Sequence, residues 1–426
     1  MTRSRTAARS GRPVALAIAC VVVVVWVEFG LSIVAPAIAN GHYPTSTYWV
    51  APRLIWEGRS DALYDTEAFA LAAAEFGARS DRGFIPNAPP AVLPLLPFGL
   101  LDERPAFIAW TLLSLAALVA AVALLLSRVR VSLPLALAVV AALPLFQPVR
   151  VNFSFGQAFT FLLLALTVAT LPHTGVVRNG LRGGLGLGVA FVIKAWYGAA
   201  ATVAAALGGR LRTAAVALAV IAGAVLISVP IVGVDGWRVW IETSLTWRQR
   251  PETSVTAYQT LHSLFSHLFR FDATWNPAPV VHAPLLAEVL WFGSVACIGL
   301  VTLVWLRRLA RSWRDTGRLE PAMLPIALTV PVAILASPIA EDYHYVLTLL
   351  SFLVGGWIAL KAPRSTRSVL SLLLVSLLLI GLPLPFNERL VEGWSALLFY
   401  PRVYGAIALW LSLVLVARST GTDRGR

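Results

Sequence analysis

The sequence predicts an all-α, polytopic integral membrane protein with about 10–12 transmembrane helices, and three observations carry that prediction. First, 58% of the residues are hydrophobic and 13% are charged, whereas about a quarter of a soluble chain is charged. Second, the apolar residues fall in blocks of about 20, the length a helix needs to cross the hydrocarbon core. Backbone polar groups inside such a block must be satisfied within it, which makes each block a helix. Third, the net charge of +13 rests almost wholly on arginine, with lysine only at Lys194 and Lys361. The arginines cluster in the short gaps between blocks, the orientation signal of a membrane protein rather than the footprint of a nucleic-acid binder.

The first block runs from Val14 to Ile38 behind Arg3, Arg5, Arg9 and Arg12. Ala37-Ile38-Ala39 looks like a cleavage site, but the run is too long for an ordinary signal core, so it reads as an uncleaved span leaving the cytoplasm. Thr213–Val232 runs outward from Arg210 and Arg212. Leu285–Leu306 returns to Arg307, Arg308, Arg311, Arg314 and Arg318. Pro321–Ala336 runs out, and Tyr343–Leu360 returns to Lys361, Arg364 and Arg367. Val369–Leu384 runs out, and Val403–Val416 ends before Arg418, Arg424 and Arg426. Both termini are then cytoplasmic, in a bacterial inner (plasma) membrane. The middle leaves two choices. If the short, Pro-rich Ala88–Leu101 spans, there are about 12 helices. If it is re-entrant, parity is restored within Gly183–Leu207, where glycines and Lys194 interrupt the run.

The whole chain, 1–426, reads as a single membrane domain with two long extracytoplasmic loops, 40–87 and 233–284. Loops of that length in a compact helical protein are usually functional. In the first, Asp65 and Thr66 open an Ala-rich helix that ends at Gly77 and suits the membrane surface. In the second, Trp237, Trp240, Trp247 and Trp275 alternate with Arg238, Arg248, Arg250 and Arg270, a composition suited to the headgroup level. Cys20 and Cys297 fall in spans, and no Cys/His spacing fits a metal, so neither a disulfide, a metal nor a cofactor is expected.

Several stretches then coincide: Tyr48-Trp49-Val50-Ala51-Pro52-Arg53-Leu54, Glu57-Gly58, Ala62-Leu63-Tyr64-Asp65, Ala88-Pro89-Pro90, Phe155-Gly156-Gln157, Gly183 to Lys194, Ser337-Pro338 and Asp342-Tyr343-His344. In this order, from about Tyr48 to Val416, the chain resembles glycosyltransferase family 87. The resemblance implies a GT-C-like membrane fold. It also implies transfer of a sugar, most often mannose, from a polyprenyl-phosphate donor to a lipid or glycan acceptor outside the membrane, with inversion. Family members usually carry an acidic residue about five positions before the Tyr-Trp element; here that place holds Pro44.

Such transfer needs a base for the acceptor proton, charged groups for the departing phosphate and an apolar groove for the lipid. The catalytic candidates are Asp342, His344, Glu57 and Asp61, with Glu341 and Asp65 also within reach. Asp65 is most simply a helix N-cap. The phosphate candidates are Lys194, Arg248, Arg250 and Arg270. Lys194 lies deep in its run, with Glu28 as a possible partner. Two other functions compete: a lipid or polyprenol transporter or flippase, and a non-catalytic relative of the family. A transporter would show an inverted repeat and several charges deep in its spans, and no repeat is found in the sequence.

Overall fold

The apolar blocks fold into helices that run between two ends of one bundle. The computed structural model describes residues 3–40, 43–78, 83–129, 131–171, 176–361, 366–384 and 391–421. Among them the sole β feature is an isolated bridge between Asp272 and Asn276. Of the arginines that orient the chain, Arg364, Arg424 and Arg426 lie outside the described residues, as do the side chains of Arg3, Arg5, Arg9 and Arg12.

Helix α1 (Arg3–Phe29) continues through a π turn (Gly30–Val34) into α2 (Ala35–Asn40). Only 6% of its apolar window is buried, so this helix lies at the periphery of the bundle. The first long loop holds α3 (Tyr43–Trp56), a 3-10 turn (Ser60–Leu63), α4 (Thr66–Glu75) and a 3-10 segment (Pro89–Leu100). These pieces close around their own apolar cluster, with Trp49, Leu54, Phe69 and Phe84 inside it. The helix expected after Asp65 is α4; its buried face, Phe69, Ala72 and Ala73, belongs to that cluster. The Pro-rich piece does not cross the bundle. Pro94 and Pro97 lack the N–H an α-helical ladder needs. The segment lies along α3 so closely that a Cβ at Gly99 would come within 2.8 Å of the Pro52–Arg53 backbone.

Next come α5 (Glu103–Val129), α6 (Leu133–Ala142), α7 (Gln147–Ser154), bent from its predecessor by 50°, and α8 (Phe159–Thr170). They are followed by α9 (Val176–Ile193), α10 (Ala195–Leu207), α11 (Leu211–Thr246) and α12 (Leu261–Phe269). The bundle is completed by α13 (Pro284–Thr316), α14 (Leu319–Ala336), a 3-10 turn (Asp342–Leu347), α15 (Thr348–Lys361), α16 (Thr366–Gly381) and α17 (Pro401–Gly421). Among the described residues seven helices are long and apolar enough to cross a membrane, or eight if α6 and α7 form one bent span. The shorter α8 and α16 bring the crossings to the lower end of the expected range. Cys20 and Cys297 sit exposed on two of the long helices.

The parity question is resolved between α9 and α10. Gly180, Gly184 and Gly188 pack in register on Arg212, Val216 and Val220, so α9 runs parallel to α11. A Cβ at Gly188 would come within 2.4 Å of Val220, which shows how tightly the two helices are pressed together. The chain then breaks at Lys194, in extended conformation, and reverses. A Cβ at Gly198 would fall 2.1 Å from the Phe191 nitrogen, so glycine is required at this turn. Helix α10 returns until Gly208 meets Pro325 and Gly209 meets Ala310, at the level where α9 began. The segment is a re-entrant hairpin, and its apex lies about 20 Å into the bundle.

Helix α11 crosses fully and then breaks at Gly233 (φ 82°, ψ 159°), a backbone conformation essentially confined to glycine. One end of the bundle therefore carries both long loops. The other carries Arg210, Arg212 and the Arg307–Arg318 cluster.

Candidate functional site

Lys194, at the hairpin apex, cannot leave an ammonium unsatisfied among apolar helices. Its Nζ donates to Asn87 Oδ1 at 2.7 Å and to the Tyr48 hydroxyl at 3.4 Å. The Tyr48 hydroxyl in turn donates to Gln157 Oε1 at 3.0 Å. The rings of Tyr48 and Phe159 lie 5.8 and 5.6 Å from the ammonium, within cation–π range. Asn87 is fixed by its own Nδ2, which donates to Phe84 O, and by its carbonyl, which accepts from Tyr64. The first loop thus delivers Tyr48 and Asn87, the turn before α8 delivers Gln157, and the hairpin delivers the charge. The expected partner Glu28 is elsewhere: it pairs with Arg150 at 2.9 Å, brought over by the bent α6–α7 unit.

Glu341 supplies the opposite charge. It lies within electrostatic reach of Lys194, is partly buried, and accepts from the Tyr343 hydroxyl at 3.1 Å. The following residues, Asp342 and His344, are built into the scaffold. Asp342 takes both Nε and Nη2 of Arg402 at 3.0 Å each, and that guanidinium has no exposed surface. His344 accepts the Glu341 backbone N–H at Nδ1, which leaves the proton of a neutral ring on Nε2. Its ring stacks on Tyr343 at 4.6 Å and lies 4.3 Å from that of Phe159. Behind them Gln259 ties the second loop to this turn: its N–H donates to Ala340 O, and its carbonyl accepts from Tyr345.

The remaining candidates lie apart from this cluster. Glu57, at the far end of α3 from Tyr48, faces Arg53 at 3.8 Å and Arg59 at 3.9 Å. Asp61 is exposed on the 3-10 turn beyond it. Asp65 caps α4, accepting from the N–H groups of Glu67 and Ala68 at 3.0 Å. Arg248 and Arg270 share the carboxylate of Glu288, with Arg248 at 2.7 Å. Arg250 faces Glu252 at 3.6 Å and lies over the Trp247 ring at 4.5 Å. No group of three or more His, Cys, Asp or Glu side chains that could hold a metal occurs among the described residues.

A groove of about 850 Å³ leads away from Tyr48 and Asn87. It runs between α5, α8, α9 and the Pro89–Leu100 segment, is lined almost wholly by apolar side chains, and ends near Leu171 and Arg182. Ile193 to Arg182 is 11 residues of α9, or about 16 Å. Leu113, Leu185 and Val189 along it are exposed on the bundle surface, so the groove opens sideways. Tyr48 and Asn87 supply polar atoms at one end, Arg182 lies at the other, and the apolar wall between them can take a hydrocarbon chain.

Tyr48 and Gln157 stand in the motifs quoted above without an assigned role, and Asn87 and Arg402 stand outside them. An Asn immediately before the Ala88-Pro89-Pro90 motif was the available signal for the first. Arg402, two residues after an apolar gap, looks like any charge at a helix end.

The sequence model of glycosyltransferase family 87 matches residues 84–338, well over half of the chain. The match begins after the Tyr48–Asp65 stretch and ends at Pro338, before Glu341. No curated protein and no solved structure matches.

Proposed function

Because the chain belongs to glycosyltransferase family 87 and is a membrane glycosyltransferase, we propose that it moves a hexose, mannose foremost, from a polyprenyl phosphate to a lipid or glycan hydroxyl at the loop end of the bundle. The observation that carries this reading is the junction of a charged cluster with an apolar groove: Tyr48 and Asn87 line its head, and both accept hydrogen bonds from the Lys194 ammonium.

In this reading the polyprenyl chain lies in the groove and its phosphate meets Lys194. Charge-assisted contacts of this kind are strong where water is scarce. Glu341 accepts the acceptor proton as its oxygen bonds to the anomeric carbon. The bond from that carbon to the phosphate oxygen breaks, and polyprenyl phosphate leaves with the electron pair on its phosphate, next to the ammonium. Asp342 and His344 position Glu341 through Arg402 and the backbone contact. In this reading the arginine-rich end faces the cytoplasm, both termini are inside, and the reaction takes place on the outer side of a bacterial inner membrane. The apolar wall between the two ends of the groove favours transfer over flipping of a charged headgroup, which would need polar contacts along the path.

The test is transfer in proteoliposomes from a panel of polyprenyl-phosphate hexoses. Glu341→Gln is expected to lower kcat by roughly 100-fold or more, with little change in donor KM. A near-normal rate in that variant would remove Glu341 from the role of base. Absence of any transfer by the wild type, with lipid still bound in the groove, would favour a non-catalytic relative.

A further inference from the structure

The arginines of the second loop do not reach the Lys194 cluster, and they build something else. A second pocket, of about 260 Å³, lies in this loop between Gln249, Arg250, Arg270, Asp272 and His282. Its walls are firmly made. Asn276 is buried and its Nδ2 donates to His267 O and Arg270 O at 2.7 and 2.6 Å, which closes the 270–276 turn onto the end of α12. Val280 N–H and Ala283 N–H donate to Leu268 O and Phe269 O and fasten the return strand to the same helix end.

The charge count of the region decides what such a pocket can hold. Arg248, Arg250 and Arg270 are matched by Glu288, Glu252 and Asp272. Two arginines and one aspartate line the pocket itself, but both guanidiniums already face carboxylates, Arg250 that of Glu252 and Arg270 that of Glu288, which leaves little positive charge for a phosphate. It instead offers donors and acceptors side by side. His282 accepts the Phe271 N–H at Nδ1, so its neutral ring presents a donor at Nε2. Asp272 commits Oδ1 to the N–H groups of Thr274 and Trp275, and Oδ2 takes no bond from the described residues. Arg250 and Gln249 add further donors, and Gln249 an acceptor. Phe271 in the wall and Trp275 in the same turn are 54% and 43% exposed. Exposed rings beside mixed hydrogen-bonding groups suit a ring that has C–H groups on its faces and hydroxyls around its rim. At its volume the pocket is smaller than the roughly 300–1,000 Å³ of drug-sized sites and fits one ring rather than a chain.

We infer that this pocket holds one neutral hexose unit of a glycan acceptor, with Asp272, His282 and Arg250 binding its hydroxyls and Phe271 covering a face. This rests on the glycosyltransferase reading for the word acceptor; binding of the sugar does not.

Saturation-transfer NMR on the purified full chain tests it, with methyl α-mannoside and methyl α-glucoside as probes and inorganic phosphate as competitor. Saturable signals are expected from the sugars, weakened about tenfold in Asp272→Asn, which keeps the Oδ1 turn contacts, and in Arg250→Gln. Phosphate is expected not to displace them. No saturable signal, a signal indifferent to both substitutions, or displacement by phosphate would each overturn the assignment. In the transfer assay with a glycan acceptor, both variants should raise acceptor KM about tenfold and leave donor KM and kcat unchanged. Wild-type acceptor KM in both would overturn it too. Sugar binding lost in the variants, with no transfer from any donor by the wild type, would leave the pocket standing and remove the transferase reading.

Discussion

Asp342→Leu removes the carboxylate that holds Arg402, and the structure fixes what that costs. Arg402 has no exposed surface, and two of its N–H groups point at Asp342 at 3.0 Å. Its contact from Nη1 to Leu379 O at 2.8 Å is to a neutral carbonyl. Breaking a buried pair by deleting one partner costs about 3–5 kcal/mol, because the other charge stays desolvated. Replacing both members by apolar groups is often neutral. The expected outcome is that Asp342→Leu lowers the thermal midpoint in detergent by several degrees and lowers transfer. The double variant Asp342→Leu/Arg402→Met should regain the midpoint and most of the rate, since the Arg402 backbone N–H keeps its bond to Gln259 Oε1. The assay pairs intrinsic-fluorescence melting with kcat and donor KM. A double variant that melts like the wild type yet is a hundredfold slower in kcat would show that Asp342 touches the reaction. An unchanged midpoint in the single variant would show that the pair is not what holds the turn.

Lys194→Ala should raise donor KM by roughly 10- to 100-fold, the equivalent of a charge-assisted hydrogen bond. Lys194→Arg should not restore it, because the planar fork does not fit a site built around one ammonium; donor titration of both variants is the check, and full rescue by arginine would contradict it. Gly188→Ala should destabilise by about 1–3 kcal/mol through overpacking, since its Cβ would meet Val220 at 2.4 Å. Val220→Ala should recover most of the lost melting midpoint, and failure to do so would place the strain elsewhere. His262 is held neutral, with its pKa lowered to about 3 by burial and then by the charges of Arg270 and Arg248. The unfolded chain therefore binds the extra proton between pH 6.5 and about 3. The contribution of the neutral ring is fully present above pH 6.5 and is lost as pH falls through that window. His262→Phe should flatten the acid side of the melting profile, and an unchanged slope would rule the ring out.

The spans were legible because block length and the arginine gaps act on each segment separately. Val369–Leu384 and Pro321–Ala336 needed no knowledge of their neighbours. The Pro-rich piece was half legible: its prolines spoke against an α-helix, but its place along α3 depends on the Gly99 contact, which no local pattern announces. The hairpin was visible as an alternative because Lys194 and the glycines interrupt the run, and Gly184 and Gly188 are explained only by Val216 and Val220 opposite them. The site was less legible still. Lys194 stood out as a charge deep in an apolar run, but its partner Asn87 comes from a different part of the chain, and Glu28 was claimed by Arg150. The Asp342–Arg402 pair cannot be read from either residue alone, because Arg402 lies 60 residues further along the sequence.

The proline at position 44 can be weighed on the same terms. The family resemblance puts a carboxylate there, and α3 starts at Tyr43. Proline is favoured in the first turn of a helix, where its missing N–H costs nothing and its φ is already helical. Position 44 is one turn before Tyr48, whose hydroxyl meets Lys194. What a base needs is reach to the acceptor hydroxyl and a nearby cation, not a particular place in the chain. In the proposed mechanism Glu341 meets that need from the turn before α15, next to the Asp342–Arg402 pair. Pro44 does not by itself argue for an inactive relative.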